Sequence, residues 1–336
     1  MYLCGLKRIK KRSVIKVFRT NGVLQIAIIA IAVVAIWVGW FVEPEVMTDR
    51  GDGGPLYILI KNTLGSNGIV SVIIALILTL TEGYLLNRLL YERGLIPLNT
   101  LMPMLLYMLV MGIGANGCRL TPELITNMWV ILALWSVMPK EGVIKTEGSI
   151  FNSGLLCGMT ALTWTPGVVV IVPITIGQII YKMYQGREWA VGILGLFAPI
   201  IIVLTTAFLI DDWEMIVSYT ETVANGLGLR ESVRWDSILE TTVLGLFAMV
   251  TTVGTLTMLE RKTIAQRTHG LVIVTVFIYS LATLFYESLM PVDAEPFAVV
   301  VAAMGSIYFM EKKKHLWIYD IMIGLLFLTS LLNYIK

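Results

Sequence analysis

A group of four carboxylates, Glu43, Glu45, Asp49 and Asp52, follows the first hydrophobic segment of the chain in GWFVEPEVMTDRGDGGP. A carboxylate within hydrogen-bond reach of a hydroxyl can act as a general base, and two carboxylates together can hold a divalent cation. Asp49 and Asp52 lack the spacing and the closing glutamate of an EF-hand, so they are interpreted as part of a glycine-rich turn. Glu43 and Glu45, directly beyond the hydrophobic segment, remain as candidates for such chemistry. The alternative is that these two carboxylates only keep the end of a membrane helix in water and have no catalytic role.

Three arginines could hold an anion near such a pair. Arg230 and Arg234 are four residues apart, so in a helix they would lie on one face, and Arg119 is the third candidate. A guanidinium group binds phosphate through paired hydrogen bonds. The alternative for Arg234 is a surface ion pair with Glu231 or Asp236, which contributes about 0–1 kcal/mol.

Composition identifies the elements that must position these residues. Hydrophobic residues make up 57% of the 336 residues, charged residues only 14%, and the mean hydropathy is +0.81. These values lie outside the range of soluble globular domains and predict an integral membrane protein. Because apolar segments recur along nearly the whole chain, the predicted fold class is all-α, a polytopic bundle of transmembrane helices.

Eleven segments are candidates for membrane spans, which need about 17–25 mostly apolar residues. They are 22–41, 67–87, 96–114, 124–138, 151–165, 167–183, 189–210, 238–258, 270–289, 296–310 and 317–335. The fifth and sixth are short and meet at TWTPG, where Pro166 lacks a backbone donor and Gly167 permits a sharp turn. They could be two crossings or one re-entrant hairpin, and the remaining topology is the same in both cases.

The distribution of basic residues predicts a cytoplasmic N-terminus and an external C-terminus. The N-terminal segment carries KRIKKRSVIKVFR immediately before the first span, with no signal-peptide cleavage site after it. Of the 25 Lys and Arg residues, those in predicted external segments are Arg50, Lys61, Arg119, Arg230, Arg234 and Lys336. Topology and anionic lipid explain the basic N-terminus, so no nucleic-acid partner is predicted.

Acidic residues concentrate in the predicted external segments. They are Glu43, Glu45, Asp49, Asp52, Glu123, Asp211, Asp212, Glu214, Glu221, Glu231, Asp236, Glu287, Asp293 and Glu295. The chain divides into a cytoplasmic basic N-terminus, 1–21, and one polytopic membrane domain, 22–336, with enlarged external loops at 42–66 and 211–237. Each loop is predicted to contain one short helix, at PLYILIKNTLG and in the first half of the second loop. Function is expected there, because loops on a rigid scaffold commonly carry it.

This layout resembles that of the type C (GT-C) membrane glycosyltransferases, which share the span number, the orientation and the enlarged loops after spans one and seven. The segment GCRLTPELITNMWVILALWSV also resembles the part of such enzymes where a short external turn leads into an aliphatic helix. The resemblance implies a sugar donor carried on a polyprenyl phosphate. A departure is the first external loop, which is longer in those enzymes than the roughly 25 residues here.

The same resemblance implies residue roles. Glu43 and Glu45 in VEPEV would be catalytic, one of them as the general base that takes the proton of the acceptor hydroxyl. Arg119, Arg230 and Arg234 would bind the donor phosphate. No cofactor is predicted, although the second carboxylate could hold a divalent cation over the lipid phosphate.

Three segments within about 85–203 resemble an uncharacterised bacterial family of polytopic inner-membrane proteins, some of which carry a carotene monooxygenase name. They are LLNRLLYERGLIP, FNSGLLCGMTALTWTPGVVVIVP and GREWAVGILGLFAPIII. This resemblance implies a multi-pass protein of the bacterial inner (cytoplasmic) membrane. Carotenoid cleavage oxygenases hold iron with four histidines, whereas this chain has only His269 and His315, both in predicted cytoplasmic loops. The oxygenase hypothesis is rejected, and no metal site is predicted.

Charged residues inside the predicted spans are few. Glu82 is the only acid well inside a span, and pairing with Arg88 or another basic loop residue near the cytoplasmic interface is its simplest interpretation. A proton-coupled transporter is expected to bury more acids than this.

Three functional hypotheses remain. The first is a lipid-linked sugar transferase on the outer face, with a membrane lipid, polyprenyl phosphate, as its partner. The second is a transporter or flippase of a lipid-linked or small polar substrate, built around the short fifth and sixth spans. The third is a non-catalytic subunit of a larger complex with membrane-protein partners.

Overall fold

The computed structural model describes residues 13–19, 22–44, 47, 53–64, 67–97, 100–113, 118–140, 146–183, 185–211, 213–225, 238–283, 295–312 and 316–335. Within these ranges the regular secondary structure is helical, and the extended backbone is limited to one isolated bridge between Gly53 and Trp164. The prediction of an all-α membrane fold is confirmed for this part of the chain.

Fourteen α-helices lie within the described ranges, and each predicted span contains one of them. They are α1 Val14–Phe18, α2 Val23–Val42, α3 Pro55–Leu64, α4 Gly68–Glu92, α5 Met102–Met111, α6 Pro122–Val137, α7 Glu147–Thr163, α8 Ile171–Ile180, α9 Gly186–Ile210, α10 Glu214–Asn225, α11 Ile238–Leu259, α12 Ile264–Thr283, α13 Glu295–Glu311 and α14 Leu316–Ile335. A 3₁₀ helix, Thr165–Val170, joins α7 to α8.

Five helices of the described part are long and apolar enough to cross a membrane. They are α2, α4, α9, the segment Thr242–Leu259 of α11, and α12. The helices predicted in the two enlarged loops are present as α3 and α10.

Two helices differ from the predicted spans by six residues at their start. The third span, 96–114, contains a helix of only ten residues, α5, because Pro97 and Pro103 delay its start and Gly112 follows its end. The ninth span was placed six residues too late, since α12 already begins at Ile264. His269 therefore lies in a helix, buried, and its Nδ1 is 2.5 Å from the Tyr181 hydroxyl.

The centre of the bundle is formed by α13, which is buried along nearly its whole length and packs against α5, α11 and α12. Its sequence EPFAVVVAAMGSIYFME is apolar on every face, as expected for a helix surrounded by others. The neighbouring α5 is buried at all but one position. The polar side chain at the start of α13, Glu295, is consequently also surrounded by protein.

Glycines bring α7 and α9 into close contact. A side chain at Gly154 would meet the carbonyl oxygen of Gly192 at 2.1 Å, and one at Gly195 would meet that of Phe151 at 2.2 Å. Gly158 approaches the backbone of Leu196 in the same way. The small-residue pattern of the fifth span therefore packs one helix directly on another.

The helices α7 and α8 form a hairpin whose tip is TWTPG. Near the tip, the Thr160 hydroxyl donates to the carbonyl of Gly167 at 3.1 Å, and Trp164 is completely buried. At the open end, the Gln178 amide donates to the Ser153 hydroxyl at 2.9 Å. The two arms thus run antiparallel and return to the same end of the bundle.

The bundle has two chemically different ends. At the basic end, Arg93 after α4 donates to the carbonyl of Trp135 at 3.1 Å, and Lys262 pairs with Glu311. The opposite end, where α2 ends and α6 and α13 begin, is named here the first-loop end because α3 lies there. The predicted cytoplasmic loops that the structure describes lie at the basic end.

Candidate functional site

The first loop is attached to the tip of the α7–α8 hairpin. The Gly54 amide donates to the carbonyl of Thr163 at 2.9 Å, beside the bridge between Gly53 and Trp164. A side chain at Gly54 would meet the Leu162 carbonyl oxygen at 2.1 Å, so only glycine allows this approach. The loop is held to the hairpin through its backbone.

The second loop reaches the same hairpin. Tyr219 of α10 donates its hydroxyl to the carbonyl of Ala161 at 2.5 Å, and α10 also contacts α3. The indole N–H of Trp129 donates to the Thr163 hydroxyl at 3.2 Å from the α6 side. Both enlarged loops therefore meet over the hairpin tip, which the sequence had marked only as a break between two short spans.

Arg119 and Glu43 flank the end of α2. The Arg119 guanidinium lies 4.6 Å from the centre of the Trp40 ring, in a cation–π contact that holds it against the last turn of α2. Glu43 caps the same helix, its amide donating to the Gly39 carbonyl at 3.1 Å, and its side chain is exposed. A cation and an accessible carboxylate thus share one helix end.

Only two of the five predicted site residues can be located. Glu43 and Arg119 lie at the first-loop end as described, whereas Glu45, Arg230 and Arg234 fall outside the described residues. The predicted pairing of Glu43 with Glu45 and the shared face of Arg230 and Arg234 remain predictions.

The segment that carries Arg119 connects the surface to a buried polar cluster. The next residue, Leu120, accepts a hydrogen bond from the Tyr57 hydroxyl of α3 at 3.4 Å. Thr121 caps α6, its hydroxyl accepting from the Leu124 amide at 3.1 Å and donating to Glu295 at 2.5 Å. Three consecutive residues therefore link the end of α2, the first loop and the start of α13.

Glu123 and Glu295, which the sequence placed in external loops, are both buried, at 2% and 1% exposure. Each lies in the first turn of its helix, where the helix dipole favours negative charge. The Asn127 amide donates to the backbone carbonyl of Glu295 at 2.8 Å. These carboxylates face the interior and are not part of an acidic surface.

Glu82 extends the cluster toward the middle of the bundle. It is completely buried and accepts a hydrogen bond from the Tyr107 hydroxyl at 2.6 Å. The predicted pairing with Arg88 is wrong, because Arg88 binds Glu92 at 2.8 Å one turn further along α4. The residues named here the buried polar cluster are Glu82, Tyr107, Thr121, Glu123, Asn127 and Glu295.

The sequence contained a signal for this cluster that topology reasoning missed. A helix that is apolar all round must lie inside the bundle. Glu295 begins such a helix, so its side chain enters the interior although it lies next to a loop. The pattern TPE before an apolar segment similarly marks Glu123 as a first-turn residue of α6.

The thiol of Cys118 is shielded at this end. It is 3% exposed, and burial, with a smaller effect from the charge of Glu295, raises the pKa of the Cys118 thiol well above its usual value. Within the described ranges, no three His, Cys, Asp or Glu side chains are placed to hold a metal ion.

Comparisons with known proteins identify the fold. No protein-family model matches the chain, and no curated protein matches its sequence. The structure is similar to the crystal structure of ArnT from Cupriavidus metallidurans bound to undecaprenyl phosphate, with a TM-score of 0.57 and 12% sequence identity. The match covers 88% of this chain and 62% of ArnT, so the chain spans less than two thirds of that protein. The bundle is thus similar in fold to ArnT over most of this chain.

Proposed function

We propose that this chain is a GT-C-like glycosyltransferase that uses a sugar carried on a polyprenyl phosphate. The observation that carries the proposal is the match in fold, over most of the chain, to a protein bound to undecaprenyl phosphate. In this proposal the eleven helices that lie in the predicted spans cross the bacterial inner membrane, and the N-terminus is in the cytoplasm. The first-loop end is then the outer face, and the C-terminus is outside.

The residues at the end of α2 fit the needs of such a reaction. The acceptor hydroxyl oxygen attacks the anomeric carbon, and the bond from that carbon to the phosphate oxygen breaks. The polyprenyl phosphate leaves with the electron pair, and an acidic side chain, Glu43 or Glu45, takes the hydroxyl proton. Arg119 faces the phosphate, where a guanidinium can form paired charge-assisted hydrogen bonds.

Binding of the lipid tests this assignment directly. In native mass spectrometry of the purified protein, undecaprenyl phosphate is expected to bind, and Arg119→Gln is expected to weaken binding about tenfold or more, since a charge-assisted hydrogen bond contributes about 1.5–3 kcal/mol. Arg187→Gln is the matched control, because Arg187 is exposed and pairs with Glu147 at the basic end. Equal binding by wild type and the Arg119 variant would contradict the role of Arg119.

The chemical step has its own test. Membranes containing the protein are supplied with undecaprenyl-phosphate-linked sugars, and transfer products are identified by mass spectrometry. Glu43→Gln and Glu45→Gln should each be compared with wild type at equal folded protein, and at least one is expected to abolish transfer. Full activity in both variants would exclude this pair as the general base.

A transporter or flippase of a lipid-linked or small polar substrate is the second candidate. The observation that favours it is the burial of Glu82, Glu123 and Glu295, since transporters commonly place acids inside the bundle. In proteoliposomes with a fluorescent polyprenyl phosphate, this candidate predicts movement between leaflets that Glu82→Gln stops and Glu43→Gln leaves unchanged.

A further inference from the structure

Glu82 is surrounded by helices that carry no positive charge. The helix α4 packs against α2, α5, α6 and α13, and none of these four helices contains Lys, Arg or His. The cation nearest along α4 itself, Arg88, is occupied by Glu92. A buried carboxylate that lacks a cation is strongly disfavoured as an anion and neutralises instead.

The ionisable groups on the packed helices include one carboxylate that makes an anion at this position still less favourable. They are Tyr107 on α5, Glu123 on α6, and Glu295, Tyr308 and Glu311 on α13, while α2 carries none. Of these, Tyr107 donates to Glu82, and Glu295 is close enough to repel it. Two carboxylates that repel each other in a shared interior do not both remain ionised.

The buried polar cluster also contains more acceptors than donors. Apart from the Tyr107 hydroxyl and an interaction with the Met128 backbone amide, Glu82 has no donor beside it, and neither its Oε1 nor the side-chain oxygen of Asn127 accepts a well-formed hydrogen bond within the described part of the chain. Both residues are completely buried. Buried polar atoms are nearly always hydrogen-bonded. A proton on Glu82 would convert one of these acceptors into a donor.

We propose that Glu82 is a proton-binding site at the centre of the bundle, linked by the buried polar cluster to the first-loop end. Asn127 lies beside the Tyr107 hydroxyl and donates to the Glu295 backbone, and Thr121 donates to the Glu295 carboxylate. The Glu82 carboxyl can exchange its proton with the Tyr107 hydroxyl, and the Glu295 carboxylate with the Thr121 hydroxyl, each group giving up one proton as it accepts another. The Asn127 amide does not relay protons but holds the Tyr107 hydroxyl beside the start of α13. The site does not depend on sugar transfer.

Infrared spectroscopy tests the site without any substrate. The carbonyl stretch of a protonated carboxylic acid is separated from the bands of carboxylates. In protein reconstituted in nanodiscs at neutral pH, Glu82→Gln is expected to remove one component of this stretch, and Tyr107→Phe to shift it. Glu92→Gln is the control, because Glu92 is ion-paired near the end of the same helix and its loss should leave the stretch unchanged.

Deuterium exchange tests the route. On transfer to heavy water, the component of the carbonyl stretch that belongs to Glu82 should shift as its proton exchanges for deuterium. Asn127→Leu and Thr121→Val should each slow that shift. Circular dichroism confirms that each variant remains helical. A spectrum in which Glu82→Gln removes no component overturns the site, and exchange at the wild-type rate in both route variants overturns the link to the first-loop end.

Discussion

At the level of single residues, Cys118 offers a test of how closed the first-loop end is. The thiolate is the reactive form of cysteine, and burial raises the pKa of this thiol, so little thiolate forms at neutral pH. In a Cys4→Ser background, maleimide is expected to leave Cys118 unlabelled in the folded protein and to label it after denaturation in sodium dodecyl sulfate. Mass spectrometry of peptides measures both states.

Rapid labelling of the folded protein would mean that Arg119 and its neighbours are open to water. Cys157 serves as an internal reference, since it is also buried, on α7, away from the loops. A difference between the two thiols would locate the opening at the first-loop end.

Gly54 allows a second residue-level prediction. Gly54→Ala places a methyl group against the Leu162 carbonyl and is expected to lower the free energy of unfolding by about 1–3 kcal/mol, the usual effect of overpacking. Thermal unfolding in detergent, followed by tryptophan fluorescence, measures the change. Gly245→Ala is the matched control, because nothing lies within 4 Å of its added methyl group and alanine favours a helix. Equal melting of both variants would contradict the tight attachment of the loop.

Residue type and spacing predicted at which end of the bundle two candidate residues lie, but not how deeply their acidic neighbours are buried. Arg119 and Glu43 are indeed at one end of the bundle, as their positions beside the third and first spans indicated. Glu123 and Glu295 were predicted to be solvent-exposed because a residue next to a loop is usually exposed. Burial at a helix end depends on which helix is central, and this is a property of the whole assembly.

At the level of elements, the contact between α7 and α9 depends on the absence of side chains. Gly195→Ala is expected to push α9 away from Phe151 and to destabilise the protein by about 1–3 kcal/mol. Gly324→Ala on α14 has free space around it and should have little effect. Circular dichroism measures the loss of helical signal on heating for both variants. A melting temperature that is lowered equally in both, or in neither, would contradict the close contact between α7 and α9.

Helix positions were predictable to within a turn or two where apolar segments are long and uninterrupted, as for α2, α9 and α14. The errors have physical causes. Basic residues and His269 made the start of α12 look like a loop, yet Arg267 extends from the helix end toward water, and His269 is buried beside Tyr181. Prolines shortened α5. The 3₁₀ turn at TWTPG packs under two loops, and such tertiary contacts are not visible in the sequence.

At the level of the whole molecule, the orientation makes a prediction of its own. Alkaline phosphatase folds only outside the cytoplasm, so a fusion after residue 336 is expected to be active and one after residue 140 inactive. Green fluorescent protein at the same two sites should give the opposite pattern. Activity at both sites, or at neither, would contradict the proposed odd number of crossings.

The overall layout was the most predictable property of the chain. Length and apolar segments predicted a helical membrane bundle, which the described helices confirm, and the likeness in fold to ArnT supports the layout that the GT-C resemblance implied. Chemistry was less accessible because it depends on a few side chains, three of which, Glu45, Arg230 and Arg234, lie outside the described residues.

The attachment of the first loop has a practical consequence. Met47 is buried on one side of residues 48–52, and Gly53 and Gly54 are hydrogen-bonded to the hairpin on the other, so both ends of this short stretch are fixed independently of its length. The entropy of closing a chain segment grows slowly, by about 0.6 kcal/mol for each doubling of length. An epitope inserted here should therefore leave the bundle intact. An antibody could then report, on spheroplasts, which side of the inner membrane the segment faces.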